Sequence, residues 1–232
     1  MGLGLGRSGY ARRSVAARAD HPGVAREREA QRREENEVEF SRIVAFSDGV
    51  FAIAITLLVL NLNVPEHIKG DDLTSALWEQ RHDLFAYALS FAVIGRFWIV
   101  HHRFFSEVTG FDGRLLALNL FYLAWIVLLP FSSQVLGDHG GDMGAVVVYA
   151  TNLSGVILVG MLMFGYARRA GLTKSDATVF TPETRRHSIV IAAVFLASIP
   201  VAIIDPHIAP LVWLALLLTP LLRRARGQSG YG

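Results

Sequence analysis

Six long apolar runs separated by short polar segments set the pattern of this chain. They cover about residues 37–62, 84–105, 114–136, 143–166, 188–204 and 208–222. Most are about 17–25 residues long, enough to cross roughly 30 Å of hydrocarbon as helix. The last is short for a span. The runs are continuous rather than alternating, which argues against a β-barrel. The pattern predicts an all-α integral membrane protein with six transmembrane helices. Asn61, Asn63 and Pro65 are expected to stop the first helix. A short helix is expected around Leu73 to Arg81, and a tight turn at residues 137–142, GDHGGD.

Composition supports this reading: hydrophobic residues make up 52% of the chain and charged residues only 18%. Soluble chains average about 25% charged. The distribution of charge also gives a topology. Arginine and lysine are frequent before the first run, between the fourth and fifth, and after the sixth. They are absent from the segments after the third and fifth. Six spans with both termini in the cytoplasm satisfy the positive-inside bias, whereas five or seven would break the alternation. The domain reading is a flexible arginine- and glutamate-rich leader over 1–36, a six-helix transmembrane domain over 37–222 and a tail over 223–232. The leader mixes both charge signs, so it reads as a solvated helix or disordered segment rather than a nucleic-acid surface. No signal peptide is expected.

The first run holds the most unusual chemistry. Asp48 lies about six residues inside an apolar stretch, flanked by Ser47 and Gly49, and Thr56 lies near its middle. A carboxylate in the bilayer must face the bundle or water and have a partner. Arg96 and Asn119 fall at similar depth on the second and third helices. A buried polar network of Asp48, Arg96 and Asn119 is expected, with Ser47 and either His101 or His102. Such a network can tie helices together or serve gating or proton coupling. At about 100° per residue, Ile53, Thr56 and Leu60 share one face with Gly49, and Asp48 points about 140° from Ile53. That face can meet lipid, another helix or a pore.

Other chemistry is sparse. With no cysteine, thiolate catalysis is excluded. His101 and His102 are adjacent and make a poor paired ligand set, and no nucleophile–base pair or nucleotide motif is present. No catalytic residue and no cofactor are expected. A secondary transporter of a small ion or solute remains open on the residues alone, although no repeat relates the two halves.

The pattern Arg42-x-x-x-Phe46-Ser47-Asp48-Gly49-Val50, followed by FAIAITLLVLNL, resembles the TMEM175 family of potassium-permeable channels, in its prokaryotic single-repeat form. RFWIVHHRFF at 96–105 and LNLFYLAWIVLLPFSS at 118–133 look like its second and third helices. The resemblance covers about residues 40–222. It implies a homotetramer in the plasma membrane, without a carbonyl selectivity-filter loop, whose pore is lined by the first helix of each subunit. It implies that Ile53 narrows the pore, that Thr56 supplies a hydroxyl layer touching potassium in transit, and that Leu60 forms a second apolar layer. Potassium is then the permeant ion, with modest preference over sodium. Arg42, Ser47 and Asp48 are implied to brace the assembly, with His102 and Asn119 as further network members, while Arg96, placed by its depth, either pairs with Asp48 or snorkels to the cytoplasmic surface. Membrane lipid is the expected environment, and no nucleic-acid partner is implied.

Overall fold

A computed structural model describes residues 22–62, 75, 78, 80–178, 181–205, 208 and 211–213. Its helices are α1 (Pro22–Leu57), a 3₁₀ turn at Leu58–Asn61, α2 (Arg81–Glu107), α3 (Gly113–Val127), α4 (Leu129–Asp138), α5 (Met143–Arg169) and α6 (Pro182–Ile204). Five helical spans among the described residues are long and apolar enough to cross a membrane, with α3 and α4 counting as one. Most of the predicted sixth span and of the predicted short helix at 73–81 lies outside the described residues.

The helix ends follow local chemistry. Asp112 caps α3 by accepting from the Leu115 amide at 2.8 Å. Asp142 caps α5 through the Gly144 amide at 2.7 Å, and Thr181 caps α6 through Thr184 at 3.1 Å. Each satisfies an amide that the first helical turn leaves without a partner.

Two helices depart from the predicted bounds. The third span, expected as one helix over 114–136, breaks at Leu128. Pro130 has no amide hydrogen to return to Ile126, and its ring crowds that carbonyl. The helical ladder resumes where Ser132 donates to the Leu128 carbonyl at 3.0 Å. The first helix starts at Pro22, well before residue 37. The chain divides into two compact units inside that helix, 1–43 and 44–232. In the first unit, residues 26–42 are exposed apart from the half-buried Phe40, and charges of both signs recur along them, as in a solvated helix.

In the second unit α2 packs on α4, both α3 and α4 pack on α5, and α5 packs along α6. The 3₁₀ turn after α1 rests on α2 and α4, with Leu58 fully buried. Lipid tails are as apolar as leucine, so close packing and interhelical hydrogen bonds hold such helices together. Both are visible here. Gly155 of α5 lets the Trp125 ring of α3 lie where a Cβ would sit 2.4 Å from it. Ser90 of α2 bonds Ser133 of α4 at 2.8 Å and the Tyr149 hydroxyl of α5 at 2.9 Å. Asn152 donates to Ser132 at 3.1 Å. Trp213 stacks on Tyr149 with ring centres 5.2 Å apart and donates to Ser198 at 3.1 Å, which fixes the described part of the sixth run against α5 and α6.

One end of the bundle carries a clasp. The segment after α5 is held to the end of α2 by Thr109 to the Leu172 carbonyl and Lys174 to the Glu107 carbonyl, both at 2.9 Å. The Lys174 ammonium donates to the Ser106 carbonyl at 2.9 Å, and Thr178 donates from its amide and hydroxyl to the Glu107 carboxylate. The Tyr166 hydroxyl donates to Asp112. This hydrogen bond, with the Leu115 amide next, holds the Asp112 carboxyl below the usual range.

Candidate pore face and its polar brace

Within the second unit α1 and the 3₁₀ turn that continues it have two contrasting sides. Ser47, Phe51, Ala54 and Leu58 are buried, at the four- and three-residue steps that repeat along one helix face. Gly49, Ile53, Thr56 and Leu60 lie on the other side and are exposed, Ile53 at 60% and Leu60 at 69%. A membrane helix buries one side in its own bundle, and this one leaves Ile53, Thr56 and Leu60 for lipid, a partner subunit or a pore.

The Thr56 hydroxyl donates to the Ile53 carbonyl at 2.9 Å. Its only proton is therefore committed to the backbone, and the oxygen lone pairs remain as acceptors. An exposed hydroxyl oxygen bordered by Ile53 and Leu60 can offer a weak dipole to a cation that has shed part of its water.

The polar residues behind this face fall into two groups. Asn119 donates to the Ser47 hydroxyl at 3.0 Å and bonds His101 Nε2 at 2.9 Å. The side-chain oxygen of an amide is an acceptor only, so that hydrogen bond assigns the proton to Nε2. All three residues are buried. His101 also lies among rings, stacked on Tyr122 at 5.4 Å and tilted against Phe51 at 5.3 Å and Phe105 at 4.6 Å. The second group is more open. Asp48 accepts from the Trp98 indole at 2.9 Å, and Trp98 stacks on His102 with ring centres 5.5 Å apart.

Of the residues singled out in sequence, the structure brings Ser47 and Asn119 together through a direct hydrogen bond and adds His101 to them. Asp48 is joined to His102 through Trp98. Arg96 is exposed on α2, one helical turn or less from Trp98, and Arg42 is exposed in the first unit. Trp98, Phe51 and Tyr122 were not singled out. Trp98 had a usable signal: an indole N–H in an apolar run needs an acceptor, and His102 follows it at the four-residue helical step. Phe51 and Tyr122 carried none, because an aromatic residue in a membrane helix is ordinary.

Residues 42–130 match the family model described as endosomal/lysosomal potassium channel TMEM175. A potassium channel of Streptomyces collinus is 40% identical over 126 residues, 54% of this chain and 61% of the relative. A potassium channel of Chamaesiphon minutus is 42% identical over 103 residues, 44% of this chain and 51% of the relative. The chain thus spans less than two thirds of these curated relatives. The crystal structure of a lysosomal potassium-selective channel TMEM175 homolog from Chamaesiphon minutus superposes with a TM-score of 0.68 at 28% identity, over 80% of this chain and 98% of that one.

Proposed function

Residues 42–130 carry the TMEM175 pattern, and from that premise we propose that this chain is one subunit of a homotetrameric, potassium-permeable cation channel. It sits in the plasma membrane with both termini in the cytoplasm. The observation that carries the proposal is the exposed stripe Ile53, Thr56 and Leu60, directly opposite the packed side of α1. The named relatives are channels, which favours this reading over a secondary transporter. A channel is not an enzyme, and no residue is assigned a catalytic role.

Four copies of α1 around a common axis would place Ile53 as an apolar constriction that resists wetting when narrow. The Thr56 oxygens would form the next layer and Leu60 a second apolar one. Hydroxyl dipoles hold a cation weakly enough to release it, so preference for potassium rests on its lower dehydration cost and is modest. Ser47, Asn119 and His101 would brace α1 from the opposite side, and Asp48 would do so through Trp98. Potassium flux into liposomes containing the purified full chain tests the proposal. Potassium-dependent flux that exceeds sodium flux is expected. Absence of flux at every potential and pH tried would overturn it.

A further inference from the structure

We infer that the clasped end of the bundle holds an anionic phospholipid on the outer faces of α5 and α6. Between residues 168 and 188 the chain carries five basic side chains, Arg168, Arg169, Lys174, Arg185 and Arg186, against two carboxylates, Asp176 and Glu183. The clasp includes one of them, Lys174. Hydrogen bonds from Thr109, Lys174 and Thr178 fix the connecting segment against the end of α2. Lys174 is occupied there. Arg169, at the end of α5, and Arg185 and Arg186, near the start of α6, are exposed on two helices that pack side by side.

Each of these helices continues from its arginine into an exposed apolar stripe. On α5, Leu158, Leu162 and Arg169 recur at helical spacing on one outward face. On α6, Arg186 is followed by Ile189 and Val190, both exposed, within about one turn. The two stripes therefore run from positive charge to hydrocarbon-facing surface over roughly 5–10 Å of helix. A phospholipid has the same sequence of parts, with a negative phosphate above its acyl chains. A soluble phosphate ester would meet the arginines and gain nothing from Leu158, Leu162, Ile189 or Val190. Basic side chains at a membrane surface attract anionic headgroups. The commitment is thus to a lipid with net negative charge, and phosphatidylglycerol is the probe.

The test uses the purified full chain in neutral detergent. Phosphatidylglycerol, phosphatidylcholine or glycerol phosphate is added, and retained lipid per subunit is measured by native mass spectrometry beside the thermal midpoint. Phosphatidylglycerol is expected to be retained and to raise the midpoint, with little effect from the other two. In the triple variant R169Q/R185Q/R186Q, affinity is expected to fall by about fivefold for each arginine neutralised. The variant R169K/R185K/R186K keeps the charge and is expected to keep most of the preference. It also controls for misfolding of the glutamine variant. Equal retention of phosphatidylcholine would overturn the proposal, as would an unchanged preference in the folded glutamine variant. Stabilisation by glycerol phosphate equal to that by the lipid would overturn it too, by assigning the face to a soluble anion. These readouts do not depend on ion conduction, so they stand or fall apart from the channel proposal.

Discussion

The Thr56 hydroxyl proton is committed to the Ile53 carbonyl, which leaves an oxygen rather than a donor facing outward. Thr56→Val keeps the shape and removes that oxygen. Potassium preference over sodium is expected to drop by roughly the fivefold that one hydrogen-bond-sized interaction is worth, while Thr56→Ser preserves it. Reversal potentials under mixed-ion conditions measure this, and an unchanged value in the valine variant would count against the hydroxyl layer. Ile53→Ala removes side-chain bulk at the proposed constriction. Higher conductance with weaker discrimination is expected, and identical conductance would argue that Ile53 is not the narrow point. Asn119 acts behind the face rather than on it. Asn119→Leu strips His101 and Ser47 of their shared partner inside the bundle, a loss of about 1–3 kcal/mol. A lower thermal midpoint in detergent is expected, and a midpoint equal to the parent's would show that the buried bonds contribute nothing net.

Elements are joined at a few points that tolerate little change. Gly155 is the sharpest of them, because a methyl group there would overlap the Trp125 ring of α3. Gly155→Ala is expected to destabilise the α3–α5 contact by about 1–3 kcal/mol, the usual range for overpacking. Pairing it with Trp125→Leu should recover much of that loss, and a thermal double-mutant cycle without coupling would contradict the contact. The break between α3 and α4 has a different origin. Pro130 interrupts the ladder, and α4 presents Ser132 and Ser133 to α5 and α2.

For the molecule as a whole, the clasp links the ends of α2, α3 and α5. Asp112 is a carboxyl of the clasp that lies outside the spans. Its folded carboxyl lies below the ordinary value of about 3.9. It therefore contributes stability that is present above that value and fades as pH falls through its lower folded value. The stability gap between the parent and Asp112→Asn is expected to be constant near neutrality and to shrink only below about pH 3.9. Thermal midpoints along a pH series would measure it. A gap that closed between pH 5 and 7 would point to another group.

Sequence alone determined the all-helical, membrane-spanning class of this protein. A continuous apolar run of spanning length can bury its backbone polar groups in lipid only as helix. The spacing of Ile53, Thr56 and Leu60 put them on one face because helical geometry is periodic, and the RxxxFSD pattern lies on that same helix. Tertiary structure decided which polar groups meet. Asp48, Arg96 and Asn119 share a depth, but depth does not fix azimuth. Rotation of α2 and α3 about their axes set Trp98 against Asp48 and Asn119 between Ser47 and His101. The choice between the neighbours His101 and His102 had the same cause, since adjacent residues on a helix point about 100° apart. Helix spans are local properties of the chain, whereas hydrogen-bond partners depend on how separate helices turn toward one another.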